Sequence, residues 1–217
     1  MARRRRVSEL RDRKSYQRRA GRKPPRPITL IVCEGETERE YFEGARIQYG
    51  LSTAEVMVAE NTAGSAPITV VRFAEKKCTE RGSYDHVFCV FDRDAHASFD
   101  QARARIAELS GRDRNPLPIE EVVSIPCFEV WVLLHFEKTD APFDRCDHVI
   151  ARLRLHMPGY VKAASEVGPR LLQRLEFALD AADWLEARAP DNGYNPFTAV
   201  HHVLRHFATV AERKSNP

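Results

Sequence analysis

Two apolar runs in this chain each break abruptly into acid. Ile28-Thr29-Leu30-Ile31-Val32-Cys33 leads directly into Glu34-Gly35-Glu36-Thr37-Glu38, and His86-Val87-Phe88-Cys89-Val90-Phe91 leads into Asp92-Arg93-Asp94. Short apolar runs rich in β-branched and aromatic residues, without alternation, read as strands buried on both faces. Such strands belong to parallel sheets, whose carboxyl ends line the ligand crevice. The acids therefore fall at the edge where an α/β protein works. Four carboxylates gathered there repel one another unless a cation shares them, and an all-oxygen donor set suits Mg²⁺ or Mn²⁺.

Between and beyond these runs the pattern alternates. Tyr41, Phe42, Ala45 and Tyr49 at helical spacing predict a helix over 36–49, ended by Gly50. A short strand is expected over 55–59, a loop over 61–65 and a helix over 67–77 with Pro67 in its first turn. A helix over 98–109 capped by Ser98, a polar loop over 111–118 and a fourth strand over 121–125 follow. This alternation argues for a parallel sheet covered on both faces. After Pro126 the pattern turns helical, over 127–136, 143–155, 167–188 and 196–212. Asn195 is the expected N-cap of the last helix, with Pro196 at its first position. The resulting division is an arm over 1–27, an α/β core over 28–126 and an all-helical extension over 127–217.

Each acidic residue has a structural reading beside its chemical one. Glu34 and Glu38 can hold a metal, or one can serve as a general base once its pKa is tuned. Glu36 and Glu38 equally suit a helix N-terminus through its dipole. Asp92 and Asp94, alternate residues on extended backbone, point the same way and can reach one cation. Glu129 is the lone acid in the apolar run Phe128–Leu134 and needs a partner or a job. It is read as completing the cluster. Lys162, in a loop with Tyr160, can neutralise a phosphoryl oxygen. His96 reads as a surface residue, His135 as lying on a different face from Glu129, and His201 and His202 as solvent or packing residues.

Charge is distributed unevenly. Residues 1–26 hold 12 of the 34 Lys and Arg against Glu9 and Asp12, so the remaining 22 basic residues face 29 acids. A basic arm on an acidic body points to a polyanion. Arg3, Arg4, Arg5, Arg6, Arg11, Arg13, Lys14, Arg18, Arg19, Arg22 and Lys23 are the expected nucleic-acid contacts, sequence-blind and salt-dependent. No apolar run approaches the roughly 18 residues of a membrane span, and no apolar segment follows the basic arm as in a secretory signal. Cys33, Cys78, Cys89, Cys127 and Cys146 are odd in number and widely spaced, without a Cys-x-x-Cys pair. They read as reduced core thiols of a cytoplasmic protein.

With these residues laid out, the chain resembles the RloB family of Toprim-like proteins. The matching segments are Ile31–Glu38 with Tyr41-Phe42, Val90–His96, Ser124–Trp131 through His135-Phe136, Tyr160-Val161-Lys162 and Asn195–His201, together spanning 28 to about 205. The basic arm is also typical of the family. The resemblance implies a Toprim fold, in which a strand-end Glu has acid–base or metal duties and an Asp-x-Asp binds Mg²⁺. In related OLD-type nucleases a Glu-Gly-x-x-Glu and an Asp-x-Asp are associated with two-metal phosphodiester cleavage; Glu34, Glu38, Asp92 and Asp94 match those patterns. Ile125 stands where the family often has Asn. The resemblance further implies prokaryotic antiphage or restriction-linked defence beside an ATPase partner.

The expected function is therefore a metal-dependent nuclease acting on DNA or RNA. Mg²⁺ or Mn²⁺ held by Glu34, Asp92 and Asp94 would activate water, Glu38 and Glu129 would hold a second ion, and Lys162 and the arm would engage phosphate. The alternative is a non-catalytic subunit that binds nucleic acid or a nucleotide and signals to an ATPase. A homo-oligomer is compatible with either reading.

Overall fold

The computed structural model describes residues 27–59, 66–82, 84–93, 97–163, 167–188 and 194–215. The cations expected in the basic arm, the loop over 61–65, Asp94 and His96 lie outside these residues. The first apolar run forms β1 (Thr29–Cys33), in which all five residues are buried. Successive strand side chains point to opposite faces, so full burial means that the sheet is covered on both. The chain continues through α1 (Glu36–Gln48), β2 (Ala54–Val58), α2 (Pro67–Arg81), β3 (His86–Asp92), α3 (Phe99–Ser110) and β4 (Ile119–Ile125). Gly50, just after α1, adopts φ 63°, a left-handed turn that glycine takes without steric cost.

The sheet order is β2-β1-β3-β4-β5, with the first four strands parallel. The chain leaves β1 toward β2, then returns to place β3 on the other side of β1. The β1/β3 boundary is thus the topological switch point, where an open α/β sheet forms its ligand crevice. Helices α2 and α3 pack together over β1, β3 and β4, while α1 packs on β1, β2 and α6. The five-stranded, mostly parallel sheet flanked by helices agrees with the Toprim-like α/β expectation.

The extension holds α4 (Glu129–Leu134), α5 (Cys146–Leu153), α6 (Val167–Leu172), α7 (Leu175–Glu186), β5 (Phe197–Thr198) and α8 (Val200–Ser215). It is not all-helical, because β5 joins the sheet edge antiparallel to β4, pairing Thr198 with Ser124 and Phe197 with Ile125. The Ser124 and Thr198 hydroxyls lie 3.1 Å apart. Ile125 is buried and pairs with Phe197. Asn195 caps no helix: its amide accepts from Phe143 N at 3.2 Å and donates to Phe143 O at 2.8 Å. With that side chain committed to residue 143, the backbone stays extended through β5, and α8 starts at Val200 rather than Pro196. The predicted helix over 167–188 is two helices, broken where Arg174 donates to His135 O at 2.7 Å and lies over the Phe136 ring. Ser98 occupies the position before α3, but its hydroxyl makes no capping bond and is buried without a partner. Cys127 and Cys146 are joined in a disulfide, which corrects the reduced-thiol reading for that pair; Cys33, Cys78 and Cys89 are free. Among the described residues no helix is long and apolar enough to cross a membrane.

Candidate metal centre

Strand register delivers the two acidic motifs to one place. Cys33 pairs with Val90, so β1 ends two residues short of the end of β3 at Asp92. Glu34 N–H then donates to Val90 O at 3.0 Å, and the Glu34 carboxylate accepts from the Asp92 N–H at 3.0 Å. The side chain of Glu34 thereby buttons the end of β1 to the end of β3 across the switch point. Glu34 is buried.

The first turn of α1 separates its two acids. Glu36 is exposed and pairs with Arg39 at 2.6 Å, as a solvated helix-start acid should. Glu38 is buried. Burial, followed by the charges of Glu129 and Glu34, raises its pKa to about 7, against an opposing pull from its own backbone amide and from Lys162. Gly35 is extended, with φ −141°, which any residue can adopt. Its glycine is explained by space: a Cβ there would come within 3.1 Å of Glu38 Oε2. A side chain there would crowd the Glu38 carboxylate, whereas the backbone angle itself is open to any residue.

Asp92 closes the group. Burial pushes its pKa well above the usual carboxylate range, and the charges of Glu38, Glu34 and Glu129 push the same way; a hydrogen bond from the Phe128 backbone opposes them. Glu129, the first residue of α4, is almost wholly buried at 1% exposure. Its carboxylate accepts from the Tyr160 hydroxyl at 3.2 Å and pairs with Lys162 Nζ at 3.1 Å. Burial works against the Lys162 charge, yet Glu129, with Asp92 and Glu38, lifts its pKa above normal. Burial and the same three acids hold the Tyr160 phenol protonated. Thr37 accepts a bond from Ala163 N at 3.0 Å, tying the start of α1 to the loop that carries Lys162.

Glu34, Glu38, Asp92, Glu129 and Lys162 therefore meet, while Asp94 lies outside the described residues. His135 stands apart: it is buried between Tyr41 and the Trp131 carbonyl, and burial lowers its pKa to about 4. Four carboxylates face one ammonium, an imbalance that a hard divalent cation would relieve, and their oxygen donors fit Mg²⁺ or Mn²⁺. Among the described residues no three of these acids bring oxygens within 4.8 Å of one another, so holding one ion requires side-chain rotation. Sequence reasoning missed the Cys127–Cys146 bond, which flanks Glu129 and sets Cys146 Sγ 3.1 Å from Glu129 Oε2. It also missed Tyr160 as the donor to Glu129. No spacing signal links residues 127 and 146, because only the fold brings α4 and α5 together.

A family model described as RloB-like protein matches residues 29–207. The chain belongs to the RloB-like family. No curated protein and no solved structure matches it. The matched segment runs from the first residue of β1 into α8 and so contains every described acid of this RloB-like centre.

Proposed function

We propose that this RloB-like chain is a Mg²⁺- or Mn²⁺-dependent nuclease of prokaryotic defence, working beside an ATPase. The observation that carries the reading is the convergence of the Glu34–Glu38 segment and of Glu129 on Asp92 at the β1/β3 switch point. A bound divalent ion would supply charge compensation and polarise a phosphoryl oxygen. Glu34, Glu38, Asp92 and Glu129 are the residues that would hold it. Glu38, with a pKa near neutrality in the metal-free chain, is the group best placed to give up a proton as the centre loads. Lys162, partly exposed beside the acids, meets incoming phosphate with its charge intact. Tyr160 holds Glu129 in place with a hydrogen bond. The basic arm supplies sequence-blind attraction for the phosphate backbone.

The test is incubation of the full chain with supercoiled, linear and single-stranded DNA and with RNA, in Mg²⁺ or Mn²⁺. Cleavage that disappears in Asp92→Ala and Glu34→Ala supports the assignment, and cleavage that survives both substitutions overturns it. A strongly basic arm on an acidic body favours a second reading, a binding subunit that signals to the ATPase without cutting. Substrates left intact but bound, with binding lost on removing residues 1–26, would select that reading.

A further inference from the structure

We infer that Glu186, His201 and His202 form a second metal site, built for a borderline transition-metal cation of the Zn²⁺ class. The site joins the last residue of α7 to the first turn of α8 and shares no residue with the acidic centre. Pairing of β5 with β4 fixes where α8 begins: Ala199 N–H donates to Val123 O at 3.0 Å, and Val200 N–H reaches the Thr198 hydroxyl at 3.4 Å. That start sets both imidazoles against one carboxylate. His201 Nε2 lies 3.2 Å from Glu186 Oε2, and His202 Nε2 lies 3.0 Å from Glu186 Oε1. The two ring centroids are 4.2 Å apart.

The three ligand atoms lie within 4.8 Å of one another. Zinc bonds of about 2.0–2.2 Å at tetrahedral angles place ligand atoms roughly 3.3 Å apart. The two imidazoles sit near that spacing from different oxygens of Glu186, so an ion held by both rings would take the carboxylate through both oxygens or after a small rotation. Two imidazoles and a carboxylate suit Zn²⁺, Ni²⁺ or Cu²⁺ rather than Mg²⁺. His201 is 1% exposed, and its Nδ1 is buried without a hydrogen-bond partner. The nitrogen a metal would take is the other one, Nε2, which faces Glu186. On the outer side, His202 and Glu186 keep side-chain exposures of 47% and 37%, giving a path for entry and a fourth position for water. Asp183, one turn before Glu186, adds negative potential and is itself paired with Arg205.

The experiment is calorimetric titration of the tag-free, chelator-treated full chain with Zn²⁺, repeated with Co²⁺ and read by visible absorption. With the acidic centre disabled by Asp92→Asn, the expected result is one remaining site per chain with a tetrahedral Co²⁺ spectrum. His202→Ala, at an exposed position that folding does not require, and Glu186→Gln should each weaken it by more than about 100-fold. Asp92→Asn should retain it, which separates this site from the acidic centre. Absence of Zn²⁺ uptake by the unsubstituted chain, or uptake unchanged in both His202→Ala and Glu186→Gln, would overturn the inference.

Discussion

Gly35 and Glu38 show how much one missing methyl group can decide. A Cβ at residue 35 would press on Glu38 Oε2 at 3.1 Å, while the backbone there is open to any residue. Gly35→Ala should therefore leave thermal stability within about 1 kcal/mol. The same change should weaken Mn²⁺ binding by about 10-fold or more, measured by calorimetry, because it shifts a ligand off its position. Glu38 also carries a pH signature. Its folded-state pKa of about 7 is above the unfolded value of 4.5, so its contribution to stability is present while it stays protonated and is lost as pH rises through 7. His135 and His206 have folded pKa values lowered to about 4, so they cost stability only as pH falls below 6.5. Between pH 6.5 and 8 the raised carboxyls of the centre, Glu38 and Asp92, act in the same direction and the lowered histidines do not oppose them. Metal-free protein should lose about 1 kcal/mol across that window. Glu38→Gln should flatten the loss in a thermal-melt series, and saturating Mn²⁺ should reverse it.

At the scale of elements, the sequence was most legible where burial was complete. β1 is buried throughout and β3 over Val87–Phe91, so period and length alone located them within a residue or so. Helix α1 announced itself through Tyr41, Phe42 and Ala45, all buried in the structure. The 195–200 segment was misread because Asn-Pro resembles a helix start, and only the distant Phe143 backbone decides that Asn195 bonds elsewhere. The Cys127–Cys146 bond is likewise a contact between elements, closing a segment with a separation of 19 residues in sequence. A loop of that size stabilises by about 3 kcal/mol through chain entropy. Thiol counting on unfolded, non-reduced protein should find three reactive cysteines, and reduction should lower the unfolding free energy by that order. Five reactive thiols would exclude the bond.

Charge along the whole chain is split between a basic stretch over 1–26 and an acidic remainder, and those electrostatics should dominate binding to nucleic acid. Removing residues 1–26 takes away 12 Lys or Arg. Affinity for a DNA or RNA duplex should then drop steeply at low salt, and the slope of log K against log salt should become shallower. Fluorescence anisotropy across a salt series checks both, and an unchanged slope would show that the arm makes no phosphate contacts. The sequence by itself determined that Glu34 and Asp92 end buried strands, because apolar runs that stop at an acid can be read locally. It also determined the membership signalled by ordered short motifs. Only the tertiary structure decided which groups share a site. Glu129 met Lys162 and Tyr160, and Glu186 met His201 and His202, through packing between elements that no periodicity records. Local pattern reports whether a side chain faces in or out, whereas its partner is chosen by how whole helices and strands settle against one another.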